Sequence, residues 1–382
     1  MNCMEISITV TKNCNLKCKY CYQGIHDSTE ELSVNTISEI MELVKNKMRA
    51  YNDSALYVVF IGGEPLLAYK KIRDIINTFE GALSNIRIRY YITTNGTIMN
   101  DDIIALLKKN KVEVSFSIDG NQKTHDKNRI DKKNNGTYKK VLLNMQRLCD
   151  EGILITGRMT ISPETAQSFY EDVISLYKAG IKTINPVCDF TCTWELAQLE
   201  DLKKSYRLLA QWYIEHYNQV TLACFEGRFY SLLTRKQKFC NAGTGLHYTI
   251  STSGDVYPCN YVTDNEQFKI GDCNKPKTSS DVYNLYLQYI STDDEKCKLC
   301  EASDFCYGRK CCFLNWKITG FLNIVSPVLC EHEKFMFRIV QDVLLAISEK
   351  ESDILQMVKY IKENDLGNKT YKCLEKKLWK MI

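Results

Sequence analysis

Cys14-Asn15-Leu16-Lys17-Cys18-Lys19-Tyr20-Cys21 decides how the rest of the chain is read. Three cysteines fall within eight residues, spaced C-x3-C-x2-C. They directly follow Glu5-Ile6-Ser7-Ile8-Thr9-Val10, whose alternation and β-branching mark a strand. Thiolates hold iron–sulfur clusters, and a 4Fe-4S cube has four irons to fill. Three thiolates on one loop reach three of them and leave the fourth iron for a ligand that reacts. Such an open position separates a catalytic metal site from a closed structural one. A zinc knot made by the same thiols with His26 is the competing reading.

Outward from the loop, helix and strand patterns alternate. Ser33 can cap a helix with the apolar stripe Val34, Ile37, Met41, Val44 and Met48. Ala55 to Phe60 is a nearly continuous apolar run, as in a parallel strand buried on both faces. The spacing then predicts a helix through Ile72–Phe79, a strand at Ile86–Ile92, a helix at Asp101–Lys109 and a strand at Val112–Ser117. Beyond these come helix Tyr138–Cys149, strand Leu154–Ile161, helix Glu164–Ala179, strand Lys182–Asn185 and helix Asp201–Val220. About six βα units at roughly 30-residue spacing imply a parallel sheet with crossover helices. They fall short of the roughly eight that close a full barrel. From Phe225 helical periodicity fades, and His247–Ile250 with Asp255–Tyr257 reads as a hairpin. Helix periodicity returns from Glu331 to Glu363, and Asn368 to Ile382 reads as a Lys-rich, loosely held tail.

Composition sets the bounds. A chain of 382 residues has room for two domains, and 45% hydrophobic with 25% charged residues is that of an ordinary globular protein. No run approaches the ~18 apolar residues of a membrane helix. No signal peptide is visible, so a cytoplasmic protein that uses no membrane is expected. A net charge of +4 with no basic stripe argues against nucleic acid as a partner. Eighteen cysteines grouped at ligand spacings suit metal or cluster binding better than disulfides in a reducing compartment.

Further motifs give the chain a resemblance. Ile61-Gly62-Gly63-Glu64-Pro65 and Ser115-Phe116-Ser117-Ile118-Asp119-Gly120 stand, with the cysteine loop, after the first, second and fourth strands. The three together resemble the radical SAM superfamily over most of the chain. The later cysteines resemble its C-terminal SPASM extension. The resemblance implies an open (β/α)6 partial TIM barrel of α/β class, with the reaction at the C-terminal ends of the strands. It implies a radical SAM core over 1–222, a SPASM domain over 223–335 and a helical tail over 336–382.

It also implies roles. Cys14, Cys18 and Cys21 would hold a 4Fe-4S cluster that binds S-adenosyl-L-methionine. Gly62, Gly63 and Glu64 would receive the methionine moiety, Glu64 by accepting from its ammonium group. Tyr20 would lie near the adenine, Asn95 would line the same pocket, and Ser117 and Asp119 would bond the ribose. Arg158 would pair with the carboxylate. Packing, capping and a structural ion pair are the plain alternatives for these residues. Two auxiliary 4Fe-4S clusters follow from the SPASM pattern. Cys297, Cys300, Cys306 and Cys330 would hold the distal one; Cys240, Cys259 and Cys311 the nearer, with Cys273 or His247 as fourth ligand, or an open position that takes a substrate thiolate. The pattern asks for a cysteine at 310, where Lys310 stands, so Cys311 or Cys312 must serve, Cys311 being preferred.

The function so implied is hydrogen abstraction from a ribosomal precursor peptide, with thioether crosslinking of a Cys-containing peptide favoured. A flavodoxin- or ferredoxin-type electron donor would be a partner. The first strand begins by Glu5, so a leader would be read by a separate protein, by the C-terminal helix, or through direct capture of the core peptide. The alternative enzyme is an anaerobic sulfatase-maturating one. That family places an Asp after the second SPASM cysteine as catalytic base, and here Asn260 follows Cys259. A zinc-binding interaction module without catalysis is the alternative of another class.

Overall fold

The computed structural model describes residues 4–24, 28–51, 55–234, 241–290, 295–303 and 305–350. Along the chain run β1 (Met4–Thr11), α1 (Val34–Tyr51), β2 (Ala55–Gly62), α2 (Tyr69–Ala82), β3 (Arg87–Thr94), α3 (Asp101–Lys109), β4 (Glu113–Ser117), α4 (Gln122–Asn128) and α5 (Tyr138–Asp150). Next come β5 (Ile155–Ile161), α6 (Phe169–Lys178), β6 (Thr183–Cys188), α7 (Leu196–His216), β7 (Thr221–Leu222) and α8 (Ala223–Thr234). The described chain ends with β8 (His247–Ile250), β9 (Val256–Tyr257), α9 (Ser279–Ile290), α10 (Glu295–Lys298), α11 (Tyr307–Lys310), α12 (Cys312–Thr319) and α13 (Pro327–Lys350). This is the expected α/β class, with a largely parallel sheet that stays open.

Two compact units share the chain. One holds residues 1–118, 125–156 and 241–288, the other 119–124, 157–240 and 289–382. In the first the strand order is β4-β3-β2-β1-β8-β9, all neighbours parallel except the β8–β9 hairpin. The core needs no closure to be dry: Ile6, Ile8, Val10, Val58 and Phe60 are wholly buried. Odd positions of β1 are polar, yet Ser7, Thr9 and Thr11 are buried as well, so this strand is covered on both faces. Ser33 caps α1 as expected, its Oγ accepting from Thr36 N–H at 3.0 Å.

Residues 241–288 join the first unit because β8 pairs in parallel with β1, Glu5 opposite His247 through Ile8 opposite Ile250. A difference from the sequence pattern lies at 223–234, where the fading periodicity suggested no helix and α8 forms. Glu226, Gly227 and Arg228 interrupt its apolar stripe, and Arg228 is nonetheless buried. The helix expected at Glu331–Glu363 begins earlier, at Pro327; the stretch beyond Lys350, with the Lys-rich tail, lies outside the described residues.

In the second unit β5, β6 and β7 are parallel neighbours. Arg228 of α8 and Glu333 of α13 form an ion pair at 2.8 Å, only 6% and 2% of their side chains exposed. Burial alone would raise the Glu333 carboxyl; attraction and hydrogen bonds from Arg228 outweigh it and hold the group well below the usual carboxylate range. With a depressed folded value, the pair's stabilisation is complete above the unfolded carboxyl range and fades as pH falls through it. Glu333→Gln is therefore expected to cost about 3–5 kcal/mol at neutral pH, since it strands a buried guanidinium. The difference in urea midpoint from wild type should shrink steadily below about pH 4.

Candidate active site

The register of β1 on β2 slips between Thr9 and Thr11, so that Thr11 faces Gly62. That bulge brings the cysteine loop against the Gly-Gly-Glu turn. Gly63 N–H donates to the Thr11 carbonyl at 3.0 Å, and Glu64 N–H to the Asn13 carbonyl at 2.8 Å. A Cβ on Gly63 would strike the Asn13 carbonyl and lie 2.7 Å from that of Lys12, so only glycine permits this approach.

Glu64 is turned inward. It is wholly buried, and its carboxylate accepts from Leu66 N–H at 3.0 Å, Thr94 Oγ1 at 2.7 Å and Asn95 N–H at 2.6 Å. Burial raises its carboxyl to about 7, against the lowering effect of those donors. Both oxygens are thus engaged in tying the end of β2 to the end of β3.

Asn95 is the link from this turn to a cysteine. Its Nδ2 lies 3.8 Å from Cys14 Sγ and donates to Asn15 Oδ1 at 2.9 Å. Its Oδ1 accepts from Thr97 N–H and Oγ1, at 3.0 and 2.7 Å. Asn15 Nδ2 returns to Thr97 Oγ1 at 2.8 Å, which closes the ring of bonds. Cys14 is 6% exposed, and burial pushes its thiol up to about 12, with Glu64, Cys18 and Cys21 adding to the rise. Loading a metal there must displace protons. Cys18 and Cys21 are half-buried. His26 lies outside the described residues.

A second support was not visible in the sequence. The loop runs antiparallel to Asn128–Asp131, with Lys17 N–H on the Ile130 carbonyl at 2.9 Å and Lys19 N–H on that of Asn128 at 3.1 Å. Arg129 places its guanidinium 5.2 Å from the ring centroid of half-buried Tyr20. The turn at Asp131, whose carboxylate accepts from Lys133 and Asn135, was the one local signal of this segment.

Ser117 ends β4, half-buried. On the same alternation Ser115 is buried, and its Oγ, like Thr9 Oγ1 on β1, has no hydrogen-bond partner among the described residues. Asp119, in the second unit, accepts from Thr160 N–H at 3.0 Å. Gly120 has φ +117° and abuts Asp172, whose carboxylate accepts from Asn121, Thr124 and Ser168. Arg158 on β5 is exposed.

Of the later cysteines, Cys240 lies outside the described residues. Cys259 is half-buried; Cys273 is 5% exposed, and burial raises its thiol to about 12. His247 uses both ring nitrogens, Nδ1 at 3.2 Å from Glu5 Oε1 and Nε2 at 3.2 Å from Thr249 Oγ1. Cys312 is 2% exposed and Cys311 half-buried. Cys330 on α13 is half-buried; burial raises its thiol, Lys334 opposes this, and Glu331, Cys300 and Cys297 add to the rise. Cys330 in turn acts on Cys306, so these thiols share one neighbourhood. Among the described residues no three His, Cys, Asp or Glu side chains close on a single metal ion, and no helix is long and apolar enough to cross a membrane.

A thiol loop after the first strand, bonded to a Gly-Gly-Glu turn after the second in an open parallel sheet, defines the class. The radical SAM superfamily pattern matches residues 8–175, so the chain carries a radical SAM domain and is homologous to radical SAM enzymes. That family binds a 4Fe-4S cluster and S-adenosylmethionine. Within it, the chain is homologous to anaerobic sulfatase-maturating enzymes. The cysteine-type enzyme of Clostridium novyi (strain NT) is 26% identical over 352 residues, covering 86% of this chain and 92% of the relative. Native anSMEcpe with bound AdoMet and Cp18Cys peptide shares the fold with a TM-score of 0.78 at 19% identity, over 94% of this chain and 99% of that one. Streptococcus suis SuiB bound to precursor peptide SuiA gives 0.60 at 17% identity, over 85% and 75%.

Proposed function

We propose that the chain is a peptide-modifying radical SAM enzyme whose Cys14, Cys18 and Cys21 hold three irons of a 4Fe-4S cluster and leave the fourth to S-adenosylmethionine. The observation that carries this reading is the bonding of the cysteine loop to the Gly62-Gly63-Glu64 turn. Cys18 and Cys21 lie near enough to Cys14 to act on its thiol, which suits three ligands of one cluster. The partnerless hydroxyls of Thr9 and Ser115 suit a polar ligand beside the strands.

The cluster and its sulfonium ligand, held there, would supply the chemistry of radical hydrogen abstraction from an unreactive C–H bond. The chain's own residues position and shield. Gly62 and Gly63 let backbone approach the methionine end. Glu64 acts through Asn95, holding the amide that faces Cys14. Tyr20 with Arg129, Asn95, Ser117 and Asp119 are the proposed lining, and Arg158 is the proposed partner of the carboxylate. Cys297, Cys300, Cys306 and Cys330 are proposed for one auxiliary cluster. Cys240, Cys259 and Cys311 are proposed for the other. Cys273 is favoured over His247 as its fourth ligand, since both nitrogens of that ring are engaged.

The substrate reading is a Cys-containing peptide, joined by a thioether. Peptide ligands in the anSMEcpe and SuiB structures support a peptide. Likeness to the Clostridium novyi enzyme favours sulfatase maturation as the second reading. Against it stands Asn260, whose Oδ1 accepts from Thr249 Oγ1 at 2.6 Å and whose amide takes up no proton. The reconstituted enzyme is expected to leave a sulfatase-type Cys peptide unconverted and to remove two hydrogens from its own Cys-rich substrate. Loss of two hydrogens together with exchange of the peptide's sulfur for oxygen, giving formylglycine, would reverse the order of the two readings.

A further inference from the structure

We propose that Arg228 and Glu333 are positioning residues that set Cys306 against Cys330, so that both thiols meet one auxiliary cluster. The inference rests on the reading of those cysteines as ligands given above.

The contacts converge on the two cysteines from both sides. Arg228 Nη1 donates to Glu333 Oε2 at 2.9 Å and Nη2 to Oε1 at 2.8 Å, a two-pronged bond that fixes orientation as well as distance. Glu333 Oε2 also accepts from Tyr307 N–H at 2.7 Å. The guanidinium lies 4.7 Å from the Phe305 ring centroid and 4.1 Å from that of Tyr307. Phe305 and Tyr307 are the two chain neighbours of Cys306. Cys330 stands three residues before Glu333 on α13, hence on nearly the same helix face. The pair therefore grips the loop of one cysteine and the helix turn of the other. His332 Nδ1, 3.0 Å from Glu333 Oε1, steadies the carboxylate from its own helix.

Stability does not explain why a charge pair is buried here. Apolar residues of similar volume often serve a core as well or better, and buried pairs are best understood where they specify an arrangement. Two methionines in place of this pair would fill the space. They would leave Tyr307 N–H without its acceptor and Cys306 free to shift along the helix.

The test uses the full-length protein, reconstituted anaerobically with iron and sulfide. Readouts are iron per chain, the electron paramagnetic resonance spectrum of the reduced protein, and circular dichroism for folding. Cys330→Ala should lose about four irons of about twelve. The double variant Arg228→Met/Glu333→Met, which removes both charges together, should fold and lose the same spectral component. Glu333→Gln keeps the shape and Arg228→Lys the charge, and both provide graded variants. Lys binds a carboxylate as a single point, so Arg228→Lys should retain more iron than Arg228→Met. A folded double variant with the iron count and spectrum of wild type overturns the positioning role. Full iron in Cys330→Ala instead removes the premise that Cys330 is a ligand, and the proposal falls with it.

Discussion

Cys18→Ala is expected to abolish formation of 5′-deoxyadenosine while leaving about two-thirds of the iron, that of the proposed auxiliary clusters, in place. Cys14→Ala and Cys21→Ala should behave alike, because each thiolate is proposed to serve one iron and the loop offers no spare. The loop itself should survive. Its backbone is held by Glu64 N–H and by the Ile130 and Asn128 carbonyls, none of which depends on sulfur. Iron analysis with product chromatography on one sample checks both halves. A Cys18→Ala protein that still cleaves S-adenosylmethionine would remove that residue from the site.

Gly63→Ala should act by packing. The added methyl group meets backbone oxygens of Asn13 and Lys12, which cannot rotate away as a side chain can. Either the cysteine loop lifts off the turn or β2 shifts against β1. Overpacking of this kind costs about 1–3 kcal/mol. The functional loss should be larger than the stability loss, since the displaced loop carries the proposed ligands. Expected are a folded protein, a lowered melting temperature, and iron reduced by about four per chain. Wild-type melting with wild-type iron would show that the approach is looser than these contacts imply.

Local patterns were legible where local interactions decide. The helix at Asp101–Lys109 has the bounds its apolar period gives, and Asn100 caps it through Ile103 N–H. β1 and the β8–β9 hairpin likewise follow from alternation and a turn. What stayed hidden depends on partners far along the chain. Nothing near His247 says that its strand lies beside Glu5. Arg228 breaks the stripe of α8 because it answers Glu333, 105 residues later. The motif around Glu64 was plain, but its inward turn was not, since Thr94 and Asn95 lie thirty residues on and only the β2–β3 pairing brings them in reach. The cysteine loop was readable as chemistry; its footing on Asn128–Asp131 was not, as backbone bonds leave no mark on composition.

The central claim is that one iron beside the first strand takes its last ligand from S-adenosylmethionine. It is tested most directly by reducing the reconstituted wild-type protein with dithionite in the presence of that compound and measuring methionine and 5′-deoxyadenosine together. The account predicts both products in equal amounts, accumulating with time. Absence of 5′-deoxyadenosine from a protein shown to contain its full iron would contradict it.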